Sequence, residues 1–127
     1  DFGNLINPML AEGQVHGGVA QGIGQAVTEH VVYDAEGQLL TATVMDYALP
    51  RAVDMPGLDI HKTEHPSPMN AIGAKGVGEA GTIGAPAAIL NAVMDALAPE
   101  GVEDLDMPLT TCKIWTALKE AQCNTAD

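Results

Sequence analysis

The stretch AIGAKGVGEAGTIGAP, residues 71–86, places one lysine and one glutamate among five glycines. Glu79 stands between Gly78 and Ala80, so no bulky neighbour in the sequence shields its carboxylate. An open carboxylate can take a proton from a reacting group as a general base, and glycine-rich backbone can present N–H groups to an anion. The pattern also fits an ordinary solvated glutamate, which is the usual state of this residue type.

The same stretch contains GxGxxG, from Gly76 to Gly81, the spacing of a dinucleotide-binding turn. That turn directly follows a buried strand and directly opens a helix. Residues 69–75 are too broken for a buried strand, and the next helix is expected only near Pro86. We therefore interpret the glycines as a loop that presents Lys75 and Glu79, and not as a Rossmann turn.

Other chemical candidates are weaker. His61 and His65 are four residues apart, but Pro66 favours an extended segment and no further His or Cys lies nearby, so we expect surface histidines and no metal site. Cys112 and Cys123 would lie about 16 Å apart along one helix, too far for a disulfide. Free thiols are typical of a reducing compartment, and we predict a cytoplasmic location.

Composition narrows the possible partners. The chain has 127 residues, of which 46% are hydrophobic and only 3% aromatic, which predicts one domain with an aliphatic core. Five basic residues against seventeen acidic ones give a net charge of −12, which argues against a nucleic-acid partner. No apolar run approaches the roughly 20 residues of a membrane span.

The predicted order of elements begins with a helix over residues 8–30, where Val15, Val19, Ile23 and Val27 form a stripe at helical spacing. Five glycines interrupt this helix, and each costs up to about 1 kcal/mol relative to alanine. Such a helix makes sense if another helix or a ligand must approach its backbone closely. An antiparallel hairpin over residues 31–40, turning at residues 34–37, and strands over 41–50 and 58–65 follow.

Two C-terminal helices complete the prediction. Pro86 fits the start of the first, whose apolar stripe ends before Pro99. Thr110 is a plausible cap for the second, predicted over residues 109–121. The expected fold class is therefore α+β: a glycine-rich helix, an antiparallel hairpin with further strands, a glycine loop and two helices.

Three segments together resemble a known family: DFGNLINPMLAEGQVHGG at the start, PSPMNAIGAKGVGEAGTIGAP in the middle, and DLDMPLT before the last helix. They are similar to the C-terminal part of the molybdopterin-binding, molybdenum-containing large subunit of the xanthine dehydrogenase and aerobic carbon monoxide dehydrogenase family. The resemblance covers nearly the whole chain. It implies that residues 1–127 are a fragment of one molybdopterin-binding domain.

The resemblance also implies roles for residues. Glu79 would be the active-site base, and Gln14 would contact the pterin. The other residues that it places at the cofactor are Asn7, Gly13, Lys75, Gly76, Val77 and Gly78, with Asp1 close by. The implied cofactor is molybdopterin cytosine dinucleotide with molybdenum, held jointly with segments outside this chain, and no residue here is implied as a metal ligand.

The implied partners are the remainder of the large subunit, an iron–sulfur subunit, an FAD subunit and a small substrate such as carbon monoxide, an aldehyde or an N-heterocycle. The implied reaction is an oxidation or hydroxylation that uses water as the oxygen source. An alternative from another class remains open: a non-catalytic, acidic α+β module that folds but binds no cofactor.

Overall fold

The regular structure of the chain is helical. A computed structural model describes residues 1–124 and, within that range, contains three α-helices and no strand. Helix α1 spans Pro8–Ile23, α2 spans Ala85–Leu97 and α3 spans Thr111–Asn124. A π-helical turn, Gly24–Thr28, continues α1, and short 3₁₀ turns lie at Ala52–Asp54 and Ala98–Glu100. The predicted domain of residues 1–127 ends with residues 125–127, which lie outside the described range.

The three predicted helices are confirmed, together with the predicted signals at Pro86, Pro99 and Thr110, although α1 ends at Ile23 and its π-helical continuation at Thr28, before residue 30. The Asn7 side chain caps α1 by accepting a hydrogen bond from the Leu10 N–H at 3.1 Å. Pro86 is the second residue of α2, where its missing N–H costs nothing. Thr110 Oγ1 accepts a hydrogen bond from the Lys113 N–H at 3.3 Å at the start of α3. Pro99 lies in the 3₁₀ turn that follows α2.

The predicted β structure is wrong. Within residues 1–124 the structure has only two isolated antiparallel bridges, Tyr33–Leu39 and Gly3–Ala74. The turn of the predicted hairpin does form, because Asp34 Oδ1 accepts hydrogen bonds from the N–H groups of Glu36 and Gln38. Its flanks, and residues 41–50 and 58–65, build no ladder. A two-stranded pair is marginally stable without a third strand or a covering helix, and the described residues provide neither.

The hydrophobic core lies between α2, α3 and the loop that joins them. Its buried members are Leu97, Val102, Leu105, Leu109 and Ala121. Leu109 is completely buried, and its N–H donates a hydrogen bond of 2.6 Å to the carbonyl of Ala26 in the π-helical turn. This bond satisfies one of the carbonyls that a helix end leaves without a partner and connects the end of α1 to the core.

Close backbone approach explains two of the glycines in α1. A Cβ atom on Gly22 would lie 2.4 Å from the Cβ of Ala85, and one on Gly18 would lie 2.9 Å from the Cα of Gly81. The start of α2 and the end of the glycine loop therefore contact α1 at positions where a side chain would clash. Gly13 and Gly17 have nothing within 4 Å of such an added atom, so that part of the helix surface is open.

Candidate functional site

The first residues of the chain pair with the segment that precedes Glu79. The Lys75 N–H donates to the Phe2 carbonyl at 3.0 Å, and the Asn4 N–H donates to the Gly73 carbonyl at 2.9 Å. Gly3 and Gly73 both have positive φ, +60° and +65°, which glycine adopts without strain. A Cβ on Gly3 would lie 2.2 Å from the Gly73 oxygen. The contact therefore requires glycine at residue 3.

The Asp1 carboxylate joins three segments of the chain. Its Oδ1 accepts hydrogen bonds from the Gly3 N–H at 2.9 Å and from the His65 N–H at 3.1 Å. Its Oδ2 forms an ion pair with the Lys75 ammonium, and His65 Nδ1 lies 3.9 Å from the same oxygen. Asp1 thus binds the side chain of Lys75, whose backbone N–H is already hydrogen-bonded to Phe2.

The glycine loop is anchored on its other side by α1. Gly81 is buried, and a Cβ there would lie 2.4 Å from the carbonyl oxygen of Val15. The Glu79 carbonyl accepts hydrogen bonds from the N–H groups of Thr82 at 3.0 Å and Ile83 at 3.2 Å. Residues 76–80 therefore form a short loop, called loop 76–80 below, which is fixed at both ends. The side chain of Glu79 is exposed on it.

A cavity of about 270 Å³ lies where α1, the N-terminal segment and the glycine loop meet. Four of the predicted cofactor residues line it, namely Asn7, Gln14, Lys75 and Val77. The structure thus brings the GQVHGG segment and the KGVGE segment to one site across more than sixty residues of sequence. Gly13, Gly76, Gly78 and Glu79 are not among the lining residues. Contact between any of these residues and a cofactor stays a prediction.

The rest of the cavity wall is mainly apolar, and its residues were not predicted from the sequence. These residues are Phe2, Leu5, Ile6, Leu10, Ala11 and Ala74, together with the polar Asn4. A usable signal was present, because Asn7, Leu10, Ala11 and Gln14 recur every three or four residues and therefore lie on one face of α1. Phe2 and Leu5 carry no such periodic signal because they precede the helix.

The structure also bears on the weaker candidates. In the part of the chain that the structure describes, no group of three His, Cys, Asp or Glu side chains could hold a metal ion. Cys112 and Cys123 are free, as predicted, and both are exposed. Among residues 1–124, no helix combines the length and the apolar character that crossing a membrane requires.

Comparison with known proteins shows what kind of protein the chain is similar to. A family model described as a molybdopterin cofactor-binding domain matches residues 1–56. The carbon monoxide dehydrogenase large chain of Hydrogenophaga pseudoflava is 47% identical over 120 residues, which are 94% of this chain and 15% of that one. The chain belongs to the molybdenum-binding large-subunit family of carbon monoxide and xanthine dehydrogenases. Residues 71–86 lie beyond the residues that the family model matches.

Members of this large-subunit family with other substrates are equally similar. The nicotine 6-hydroxylase large subunit of Paenarthrobacter nicotinovorans is 47% identical over 94% of this chain and 15% of its own length. In the solved structure of quinoline 2-oxidoreductase from Pseudomonas putida 86, a region with 48% identity superposes with a TM-score of 0.88 over 94% of this chain and 15% of that chain. The chain thus spans about 15% of the length of the relatives that it matches.

Proposed function

We propose that this chain is the part of a molybdenum hydroxylase large subunit that forms one wall of the molybdopterin site and supplies Glu79 as the general base. The observation that carries the proposal is the cavity that unites Asn7 and Gln14 of α1 with Lys75 and Val77 of the glycine loop. The similarity of the chain to carbon monoxide dehydrogenase and nicotine 6-hydroxylase large subunits supports the same proposal.

The residues present fit such a cofactor. Gly13, Gly76 and Gly78 have no positive φ and nothing within 4 Å of an added Cβ. Neither backbone conformation nor packing among the described residues therefore requires glycine at these positions, and their backbone is open to close approach by a planar group. The Gln14 amide can both donate and accept hydrogen bonds to a pterin edge, and the N-terminal end of α1 favours an anionic group.

When bound, the molybdenum cofactor supplies two-electron oxidation with water as the source of oxygen. The work of this chain is to position that group and to move a proton. The Glu79 carboxylate accepts the proton that the oxygen nucleophile loses as it attacks an electron-poor carbon. The hydrogen bonds from Thr82 and Ile83 to the Glu79 carbonyl fix the backbone from which the carboxylate projects. The apolar side chains of Leu10 and Val77 line the cavity.

The finer details of the proposal follow the family resemblance. We assign the cytosine dinucleotide form of the cofactor and a small substrate such as carbon monoxide, an aldehyde or an N-heterocycle. Electrons leave through a separate iron–sulfur subunit and an FAD subunit, both bound to the complete large subunit in the cytoplasm. The remainder of the large subunit provides the other walls of the cofactor site.

The experiment that tests the proposal replaces Glu79 by Gln in the complete large subunit. This change keeps the size of the side chain but removes the basic oxygen. We expect the rate of the reductive half-reaction per bound molybdenum to fall by about 10²–10⁴-fold, whereas molybdenum and pterin content stay near those of the wild type. Glu36→Gln and Glu103→Gln, at exposed positions, serve as controls. A Glu79→Gln rate within a few-fold of the wild type would disprove the assignment.

The non-catalytic alternative predicts a different cofactor content for the complete subunit. A complete wild-type subunit that purifies without molybdenum and without pterin, under conditions in which a related hydroxylase is loaded, would favour a module that folds but binds no cofactor.

A further inference from the structure

We infer that Asp1 and Lys75 form an ion pair whose task is to position loop 76–80, and that they are positioning residues for the base Glu79. The inference rests on the proposed function, because the placement of Glu79 matters to the rate only if Glu79 acts on the substrate. It also gives the side chain of Lys75 a role other than direct contact with the cofactor.

The geometry holds Lys75 at two points. Its N–H donates to the Phe2 carbonyl at 3.0 Å, and its ammonium pairs with Asp1 Oδ2. Lys75 is also the last residue before loop 76–80 and the fourth before Glu79. Because one residue is fixed through both backbone and side chain, rotation of the chain at the entry to the loop is restricted.

The acceptor itself is held in place. Asp1 Oδ1 accepts the N–H groups of Gly3 and His65 at 2.9 and 3.1 Å, so the carboxylate is oriented before it meets the ammonium. An exposed ion pair with two mobile partners contributes little, because ordering both side chains costs entropy. Here the side chain of Asp1 is 32% exposed and that of Lys75 is 36% exposed. Much of the ordering cost is already met by the two backbone hydrogen bonds to the carboxylate.

Residues 70–74, which directly precede Lys75, are also held by hydrogen bonds. The side-chain amide of Asn70 donates to the Ala74 carbonyl at 2.9 Å and accepts from the Ala74 N–H at 3.0 Å. The entry to loop 76–80 is therefore bound to Asn70 and to residues 1–4, and its exit is bound to α1 through Gly81. Of these contacts, the Asp1–Lys75 pair is the one that a single isosteric change can remove with no loss of backbone hydrogen bonds.

The test compares Asp1→Asn, Lys75→Gln and the double variant in the complete, cofactor-loaded large subunit. Asn keeps an oxygen for Gly3 and His65 but loses the charge. Small displacements of a reacting group can cost up to about 10²-fold in rate, and we expect each single variant to lower kcat by about 10–100-fold with KM and molybdenum content unchanged. The double variant should be no slower than the slower single variant, because both changes remove the same interaction. Lys75→Arg should keep most of the rate.

A readout independent of turnover accompanies the rates. Hydrogen–deuterium exchange of the peptide that covers loop 76–80 in the cofactor-free subunit should become several-fold faster in Asp1→Asn and in Lys75→Gln. The matched control is Arg51→Gln, which removes the Arg51–Asp54 ion pair of 3.0 Å, another exposed pair, formed at the short 3₁₀ turn Ala52–Asp54. Neither kcat nor loop exchange should change in that variant.

The outcomes separate this inference from the proposed function. If Glu79→Gln is inactive but Asp1→Asn and Lys75→Gln keep wild-type kcat, the positioning role is wrong and the base assignment stands. If the single variants lose activity only in proportion to lost molybdenum, or if their effects multiply in the double variant, the positioning role is also wrong. If Glu79→Gln keeps its rate, the proposed function itself fails.

Discussion

Gly78 and Gly81 lie three residues apart in the glycine loop but in different surroundings. A Cβ on Gly81 would lie 2.4 Å from the Val15 carbonyl oxygen, whereas one on Gly78 would meet nothing within 4 Å. Gly81→Ala should therefore lower the free energy of unfolding by about 1–3 kcal/mol through overpacking. Gly78→Ala should leave it unchanged or raise it by up to about 1 kcal/mol, because the unfolded chain loses freedom.

Urea denaturation of the two glycine variants measures this difference directly. Equal midpoints for Gly81→Ala and Gly78→Ala would show that the glycine loop does not contact α1 as described. A second measurement uses the complete, cofactor-loaded subunit. There we expect the methyl group of Gly78→Ala to reduce molybdenum content, although the fold stays intact.

Tyr47 offers a second test at the level of one residue. Its hydroxyl donates a hydrogen bond of 2.6 Å to Glu29 Oε2. This bond raises the pKa of Tyr47 above its ordinary value of 10.0, with smaller contributions from desolvation and from the Glu29 charge. A raised pKa in the folded state means that the contact stabilises the fold at pH values below the ordinary value. That contribution is lost as pH rises through the raised pKa.

The measurement uses tyrosinate absorbance in a Tyr33→Phe background, where Tyr47 is the remaining tyrosine of the two. Adding Glu29→Gln should move the midpoint of the titration down toward the ordinary value. A midpoint that does not respond to Glu29→Gln would mean that the two side chains do not pair in solution.

At the scale of elements, the π-helical turn and the α2–α3 core meet at Leu109. Leu109 is completely buried, so truncation removes packing on all sides. Leu109→Ala should lower the free energy of unfolding by about 2–5 kcal/mol, the usual cost of a cavity in a core. Met45→Ala is the matched control, because Met45 is 95% exposed and such changes usually stay within about 0.5 kcal/mol. Thermal or urea unfolding that treats both variants alike would contradict the described core.

The helices were predictable from the sequence, and the strands were not, for a physical reason. A helix satisfies its own backbone hydrogen bonds, so local signals such as Pro86 and Thr110 suffice to mark its start. A strand depends on partners elsewhere. The alternating residues around 31–50 and 58–65 carry a strand pattern, but the described residues provide no neighbouring strand to complete it. The local sequence therefore predicted the turn at Asp34 correctly, but the strands that it predicted on either side of this turn do not form.

The candidate site was predictable only in part. The residues of the GQVHGG and KGVGE segments followed from family resemblance, and the structure places several of them around one cavity. Asp1 joins three segments through its contacts with His65 and Lys75. These residues lie 64 and 74 positions away from it in the sequence. No spacing rule along the sequence reports such contacts, because they are set by the tertiary fold.

At the scale of the molecule, many large hydrophobic side chains among residues 1–124 lie on the surface. Those more than 70% exposed are Met9, Val44, Met45, Val53, Met69 and Ile83. Exposed apolar surface of this kind favours association. We expect the chain, expressed as residues 1–127 alone, to self-associate, to show no turnover and to unfold at modest temperature. Sedimentation velocity over a range of concentrations measures the first property. A monomer with a sharp, concentration-independent thermal transition at high temperature would contradict the expectation.

The hydrogen bond from Leu109 to Ala26 also bears on the order in which the molecule folds. It joins residues 83 positions apart, and closing so long a loop early is entropically unfavourable. The α2–α3 core needs only contacts close in sequence, whereas α1 is rich in glycine and has low intrinsic helicity. Folding should therefore nucleate in residues 85–124, and α1 should dock afterwards. Because α1 is synthesised before the surface that stabilises it, we expect its helical structure to form only after residues 85–124 have been synthesised and have folded.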